Sequence, residues 1–328
     1  GYGYVLAVVM LAVGLFVLAF NQWFVGKRKS FTTVTGKSSQ VSLVKLRGAR
    51  TPISVGVLFM LLLIAILPLV SFAVESFTMV TGNYNPSNFT SIFWLGKGST
   101  DIANGEPGIL RNKYIYLGLW NSIKLSVCCA FVAGTAGVLC GYAVVKRRGS
   151  RLSGVVNSLA FFPYLMPAMA FGAIYLSMFT QKNGFIPPLY GTFTLLVLIG
   201  SVKYLPFASR AGVNAMLQLS NEIEEAAVIQ GVSWWKRMVK IIFPIQKTSF
   251  LSGYLLPFIS CMRELSLFIL LVTPANRVLT TQLFQYNEKG WNQYANAINL
   301  LIIVVVLFFN LVINKLTGAS IDKGIGGS

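Results

Sequence analysis

The sequence predicts an all-α polytopic membrane protein, and three observations point there. Hydrophobic residues make up 55% of the 328 positions and charged residues only 11%, against about a quarter charged in a soluble domain. Predominantly apolar runs recur near 4–24, 53–74, 120–145, 155–179, 189–208, 249–273 and 295–315, each with the roughly twenty residues that a helix needs to cross the hydrocarbon. Every other connection between these runs is basic. Backbone groups in lipid must be paired within their own segment, and the polar–apolar alternation of a membrane barrel does not appear in the sequence, so the runs read as helices.

The run at 4–24 precedes a basic, linker-like segment, residues 26–52, built from Lys, Arg, Ser, Thr and Gly. A secretory signal would place its basic residues before the apolar run and a small-residue cleavage site after it. The 4–24 run therefore reads as an additional helix. Gly36-Lys37-Ser38 ends like a phosphate-binding loop, but Phe31 stands where that motif needs its first Gly and no strand precedes it. In the third run, Gly134, Gly137 and Gly141 include a Gly-x-x-x-Gly pair suited to close helix packing.

Pro163 and Pro167 interrupt the fourth run, with Tyr164 between them. Each proline lacks a backbone donor and clashes with the preceding turn, which predicts a kink or break. Lipid tolerates such a break where neighbours or a water-filled cavity satisfy the freed carbonyls.

Between the fifth and sixth runs lies a polar, helix-prone island. Glu222, Glu224 and Glu225 fall early in its helix, where acids complement the dipole. Ala226 and Ala227 offer a surface small enough for close approach, and Gly231 permits the positive φ that ends a helix. Trp234 and Trp235 flank that turn, one to meet a partner and the other to pack back on the fold.

Arg263 and Glu264 stand deep in the sixth run, where charged side chains are costly and usually face the bundle interior, a partner or an aqueous cavity. Neighbours on a helix diverge by about 100°, so at least one of the two needs a partner elsewhere. Tyr164, Tyr175, Tyr204 and the carbonyls freed by Pro163 and Pro167 are the candidates. A buried polar clamp and a direct role in solute passage both fit.

The basic residues decide the orientation. Lys27-Arg28-Lys29, Lys37, Lys45, Arg47 and Arg50 lie between the first two runs; Lys146-Arg147-Arg148 and Arg151 follow the third; Arg210, Lys236, Arg237, Lys240 and Lys247 surround the island; Lys315 and Lys323 follow the last. The positive-inside rule then puts residue 1 outside and the C-terminus and island in the cytoplasm. Segments 75–117, 180–188 and 274–294 face outward. The net charge of +18 is thus a signature of topology and not of nucleic-acid binding. With no His, and with Cys128, Cys129, Cys140 and Cys261 lacking Cys-x-x-Cys spacing, the usual ligands and bases of zinc, haem and Ser-His or Cys-His chemistry are missing from the sequence.

Glu225-Ala226-Ala227, Gly231 three residues later, Ile241 and Phe243-Pro244 resemble the EAA loop of ABC importer permeases, with Phe243 in place of that pattern's Leu. Phe162-Pro163-Tyr164-Leu165-Met166-Pro167, Arg263-Glu264-Leu265-Ser266, Thr273-Pro274 and Leu279-Thr280 resemble the ferric iron type of those permeases. The resemblance covers most of residues 53–315.

It implies a MetI-like permease domain of six helices over 53–316, a coupling loop of helix, turn and helix at about 215–245, and a cytoplasmic tail at 317–328. Residues 1–25 are then either an accessory helix or the last span of a preceding half in a fused double permease. The implied partners are a cytoplasmic ABC ATPase dimer, a second permease half from the same polypeptide or a homologous subunit, an extracytoplasmic substrate-binding protein and the lipid bilayer of a bacterial inner membrane. ATP and Mg would sit on the ATPase, with no cofactor bound by this chain.

By the same resemblance Glu224, Glu225, Ala226, Ala227, Gly231, Trp234, Ile241 and Pro244 couple to the ATPase. Pro163, Tyr164, Pro167, Arg263, Glu264 and Ser266 belong to the translocation pathway, with no catalytic residue and no metal site. The cargo implied is ferric iron or another small solute. The competing reading, an ion-gradient-driven secondary transporter or channel, predicts ionisable residues in several spans, whereas the sequence draws attention to Arg263 and Glu264 alone.

Overall fold

The computed structural model describes residues 2–25, 47–181 and 187–318. The Lys27-Arg28-Lys29 cluster, Gly36-Lys37-Ser38 and Lys323 lie outside the described residues, as do the expected linker apart from 47–52 and the expected tail apart from 317–318. The described secondary structure is helical, with isolated β-bridges but no strand.

Helices α1 (Tyr2–Val25) and α2 (Arg50–Glu75) match the first two apolar runs. After a short α3 (Ile92–Leu95) come α4 (Lys113–Lys146), α5 (Arg151–Leu165), α6 (Ala168–Phe179) and α7 (Phe193–Leu217). The polar island forms α8 (Asn221–Ile229), α9 (Trp234–Arg237), a π-helical turn Met238–Ile242 and α10 (Phe243–Ile245). The chain closes with α11 (Lys247–Met262), α12 (Leu279–Glu288) and α13 (Asn292–Thr317). Among the described residues α2, α4 and α13 are long and apolar enough to cross a membrane.

Where the prolines predict a kink, α5 and α6 meet at 103°. The sixth run departs further from expectation. Its helix stops at Met262 with Arg263 as C-cap, so 249–273 is not one continuous span and Arg263 and Glu264 are not in mid-helix. The cause is local: the Glu264 carboxylate accepts from the Leu267 amide at 2.9 Å, and an acidic side chain that satisfies nearby amides competes with the helical ladder. The non-helical stretch beyond still buries Leu267, Phe268 and Leu271 in the core with Leu195, Leu196 and Ile199 of α7.

The centre of the bundle is the contact of α4 with α7 and α11. A Cβ added to Gly141 would stand 2.3 Å from the Gly212 carbonyl carbon, and one added to Gly212 would stand 2.3 Å from the Gly137 oxygen. Only glycine permits this approach, as small-residue spacing in α4 predicts.

The segment after α2 is a built cap. Phe93 and Ile109 pack with Tyr286 and Tyr294, Tyr286 donates to the Glu106 carboxylate, and Tyr294 donates to the Glu106 carbonyl at 2.6 Å. Burial and the Glu106 hydrogen bond both push the Tyr286 phenol pKa up.

Candidate functional site: a charged cavity and a polar elbow

The break between α5 and α6 opens a cavity of about 440 Å³ against α7 and the end of α11, lined by Tyr164, Lys203, Tyr204, Phe207, Ser260, Arg263 and Glu264. Pro167 has no N–H for the carbonyl of Pro163, the helical acceptor four residues back. Lys203 supplies the missing donor: its ammonium reaches the Pro163 carbonyl at 3.0 Å and also donates to the carbonyl of Met166. Its charge stands 5.6 Å from the Phe171 ring centre.

Glu264 is held from two sides. Tyr204 donates to one carboxylate oxygen at 2.7 Å and the Leu267 amide to the other at 2.9 Å, while Thr280 donates to its backbone carbonyl at 2.8 Å. The interhelical partner expected for the Arg263–Glu264 pair is therefore Tyr204. Arg263 is exposed at the cavity wall and has no hydrogen-bond or ion-pair partner among the described residues.

Tyr164 packs edge-on to Phe207, with ring centres 5.9 Å apart. Tyr175, another candidate partner, instead contacts the rings of Phe171 and Phe179. Pro163 is buried, Pro167 caps α6, and exposed Ser266 lies off the cavity lining.

The second constellation is the elbow at α8 and α9. Ser220 caps α8 through its hydroxyl, which accepts from the Glu222 amide at 3.3 Å. At the other end Gly231 has φ +72°, Gly231 N–H donates to Val228 at 2.9 Å and Val232 N–H to Ala227 at 3.0 Å, the paired bonds of a Schellman termination.

Within α8 the acids divide. Glu225 and Ala226 are exposed, whereas Glu224 and Ala227 are buried. Lys146 at the end of α4 lies 2.6 Å from one Glu224 oxygen; Tyr142 donates to the other at 2.6 Å, with Arg237 Nε at 3.5 Å. Burial alone would raise the Glu224 pKa. Hydrogen bonds from Lys146 and Tyr142, with the charges of Lys146 and Arg237, outweigh it and hold the carboxyl below its ordinary range.

Of the two tryptophans, Trp234 turns inward to pack edge-on to Tyr142, while Trp235 is 69% and Ile229 86% exposed. Ile241 is half-buried and Pro244 exposed. Glu224 and Trp234, expected on the partner face, are thus turned into the fold, and Trp235 takes the outward place.

Residues 133–321 match the family model described as "binding-protein-dependent transport system inner membrane component", a stretch holding more than half the chain and both constellations. The chain belongs to this family. A relative, the ferric transport system permease protein FbpB of Actinobacillus pleuropneumoniae, is 27% identical over 320 residues, 93% of this chain and 42% of that protein. The chain therefore spans less than half the length of this ferric relative. The maltose/maltodextrin permease protein MalG of Yersinia pestis is 22% identical over 280 residues, 81% of this chain and 89% of that protein.

The permease fold is shared with a solved bacterial alginate ABC transporter in complex with an alginate pentasaccharide-bound periplasmic protein. The match has TM-score 0.62 at 11% identity, over 83% of this chain and 96% of that one. The cavity residue that sequence reasoning passed over is Lys203. Its signal was an isolated lysine inside the apolar run 189–208.

Proposed function

We propose that this chain is a permease half of an ATP-driven, binding-protein-dependent ABC importer. The observation that carries the reading is the elbow. Exposed Glu225, Ala226, Ile229 and Trp235 form its outer rim, and buried Glu224, paired with half-buried Lys146 and Arg237, braces it against α4 and α9. Such a rim is apolar and small at its centre, suited to a cleft on a partner protein.

In this reading a pair of ABC ATPases, carrying ATP and Mg, binds the elbows of two permease halves. The second half comes from the same polypeptide or from a homologous subunit. ATP-driven closure draws the elbows together, and the attached helices turn the cavity from the cytoplasm toward an extracytoplasmic binding protein. Residue 1 lies outside and the C-terminus inside, an orientation supported by basic residues after α4 and around the elbow. The ferric relative supports ferric iron, or another small solute, as cargo. The permease itself performs no covalent chemistry.

The test is co-purification of the full-length chain with its ATPase from membranes. Ile229→Asp together with Trp235→Ala is expected to abolish recovery of the ATPase while the permease keeps its thermal stability. Undiminished recovery would refute the assignment, and solute uptake in ATP-free vesicles driven by an ion gradient would favour the secondary transporter.

A further inference from the structure

The charged cavity bears on the chemical form of the cargo, a question that rests on the importer reading. Two cations, Lys203 and Arg263, face one carboxylate across its lining. Both oxygens of that carboxylate already accept hydrogen bonds, from Tyr204 and from the Leu267 amide. Lys203 is committed to the carbonyls of Pro163 and Met166. Arg263 remains, with its guanidinium unengaged among the described residues.

A bare hard cation needs several oxygen ligands and here meets a cavity of net positive charge. No group of three or more His, Cys, Asp or Glu is gathered among the described residues. An oxyanion meets the opposite situation. The planar guanidinium matches carboxylate and phosphate with paired hydrogen bonds, the Tyr164 hydroxyl and Ser260 add neutral donors along the same wall, and a cleft of one sign concentrates ions of the other.

We infer that the cavity receives an oxyanion at Arg263, so that cargo enters as a small carboxylate or phosphate species, alone or enclosing a metal, and not as a bare cation. Lys203 contributes charge while staying at the break, and Glu264 limits the excess to a single positive charge. That balance suits a site which must release what it binds.

Equilibrium binding to the purified full-length chain tests this, with radiolabelled inorganic phosphate, citrate, ferric ion alone and maltose as probes. Phosphate or citrate is expected to bind in the millimolar range or tighter; preference for citrate marks a carboxylate cargo and preference for phosphate a phosphate one. Arg263→Gln is expected to weaken that binding at least about tenfold, the loss of at least one charge-assisted hydrogen bond, and Arg263→Lys, which keeps the charge but not the paired geometry, to fall between the two.

Absence of binding by both anions overturns the inference. So does ferric ion binding that tightens in Arg263→Gln, or anion binding that ignores the substitution. ATPase recovery from the same preparations separates the two readings. A permease that holds its ATPase yet ignores both anions sinks the oxyanion site alone, whereas Arg263-dependent anion binding without any ATPase keeps the site and removes the importer.

Discussion

The ammonium of Lys203 donates at 3.0 Å to the carbonyl of Pro163, the acceptor that Pro167 leaves without its helical donor. A side chain on α7 thereby closes the gap that two prolines make between α5 and α6. Replacing it strands two carbonyls at the break. Lys203→Met is expected to destabilise the permease by about 1–3 kcal/mol, read as a lower thermal midpoint of the full-length protein in detergent. In a Pro167→Ala background, where the chain regains a donor, the same substitution should cost measurably less.

The α4–α7 contact predicts a sharp steric limit. Gly212→Ala forces a methyl to within 2.3 Å of the Gly137 oxygen, and overpacking of this kind costs about 1–3 kcal/mol or more. Gly154→Ala, where the added Cβ meets nothing within 4 Å, is the control and should leave the yield of folded protein in membranes unchanged.

At Gly231, φ +72° suits glycine and strains other residues. Gly231→Ala is expected to cost about 1 kcal/mol at the elbow and to reduce ATPase recovery. Gly231→Asn, more tolerant of that conformation, should recover part of the loss.

Acid should loosen the elbow. The Glu224 pKa is lower in the fold than in the unfolded chain, so its contribution is complete above the ordinary carboxylate pKa and disappears as pH falls through the depressed value. Tryptophan emission from Trp234, which packs on Tyr142 beside this carboxylate, should report a transition in that acidic window. Glu224→Gln should remove the transition, and a profile unchanged by it would refute the tether.

Much of this was legible in the sequence because membrane helices announce themselves by length, and the elbow by a residue whose conformational demand is local, Gly231. The break at Pro163 and Pro167 was equally local. Three things were not. That α11 stops at Met262 depends on the Glu264 carboxylate meeting the Leu267 amide, which an apolar run conceals. The inward turn of Glu224 depends on Lys146, remote in sequence but 2.6 Å away in space. Lys203 declares its role only once α7 is laid against the bend.

Backbone touches backbone where Gly141 meets Gly212, and this has a mechanical result. One of the joined helices ends at Lys146, gripping the elbow; the other carries Lys203 at the cavity and ends four residues before α8 begins. So close a contact stiffens the pair, and a tug on the elbow end would arrive beside Arg263 as a tilt of the whole shaft. Loosening that weld would let the elbow turn while the cavity stayed still.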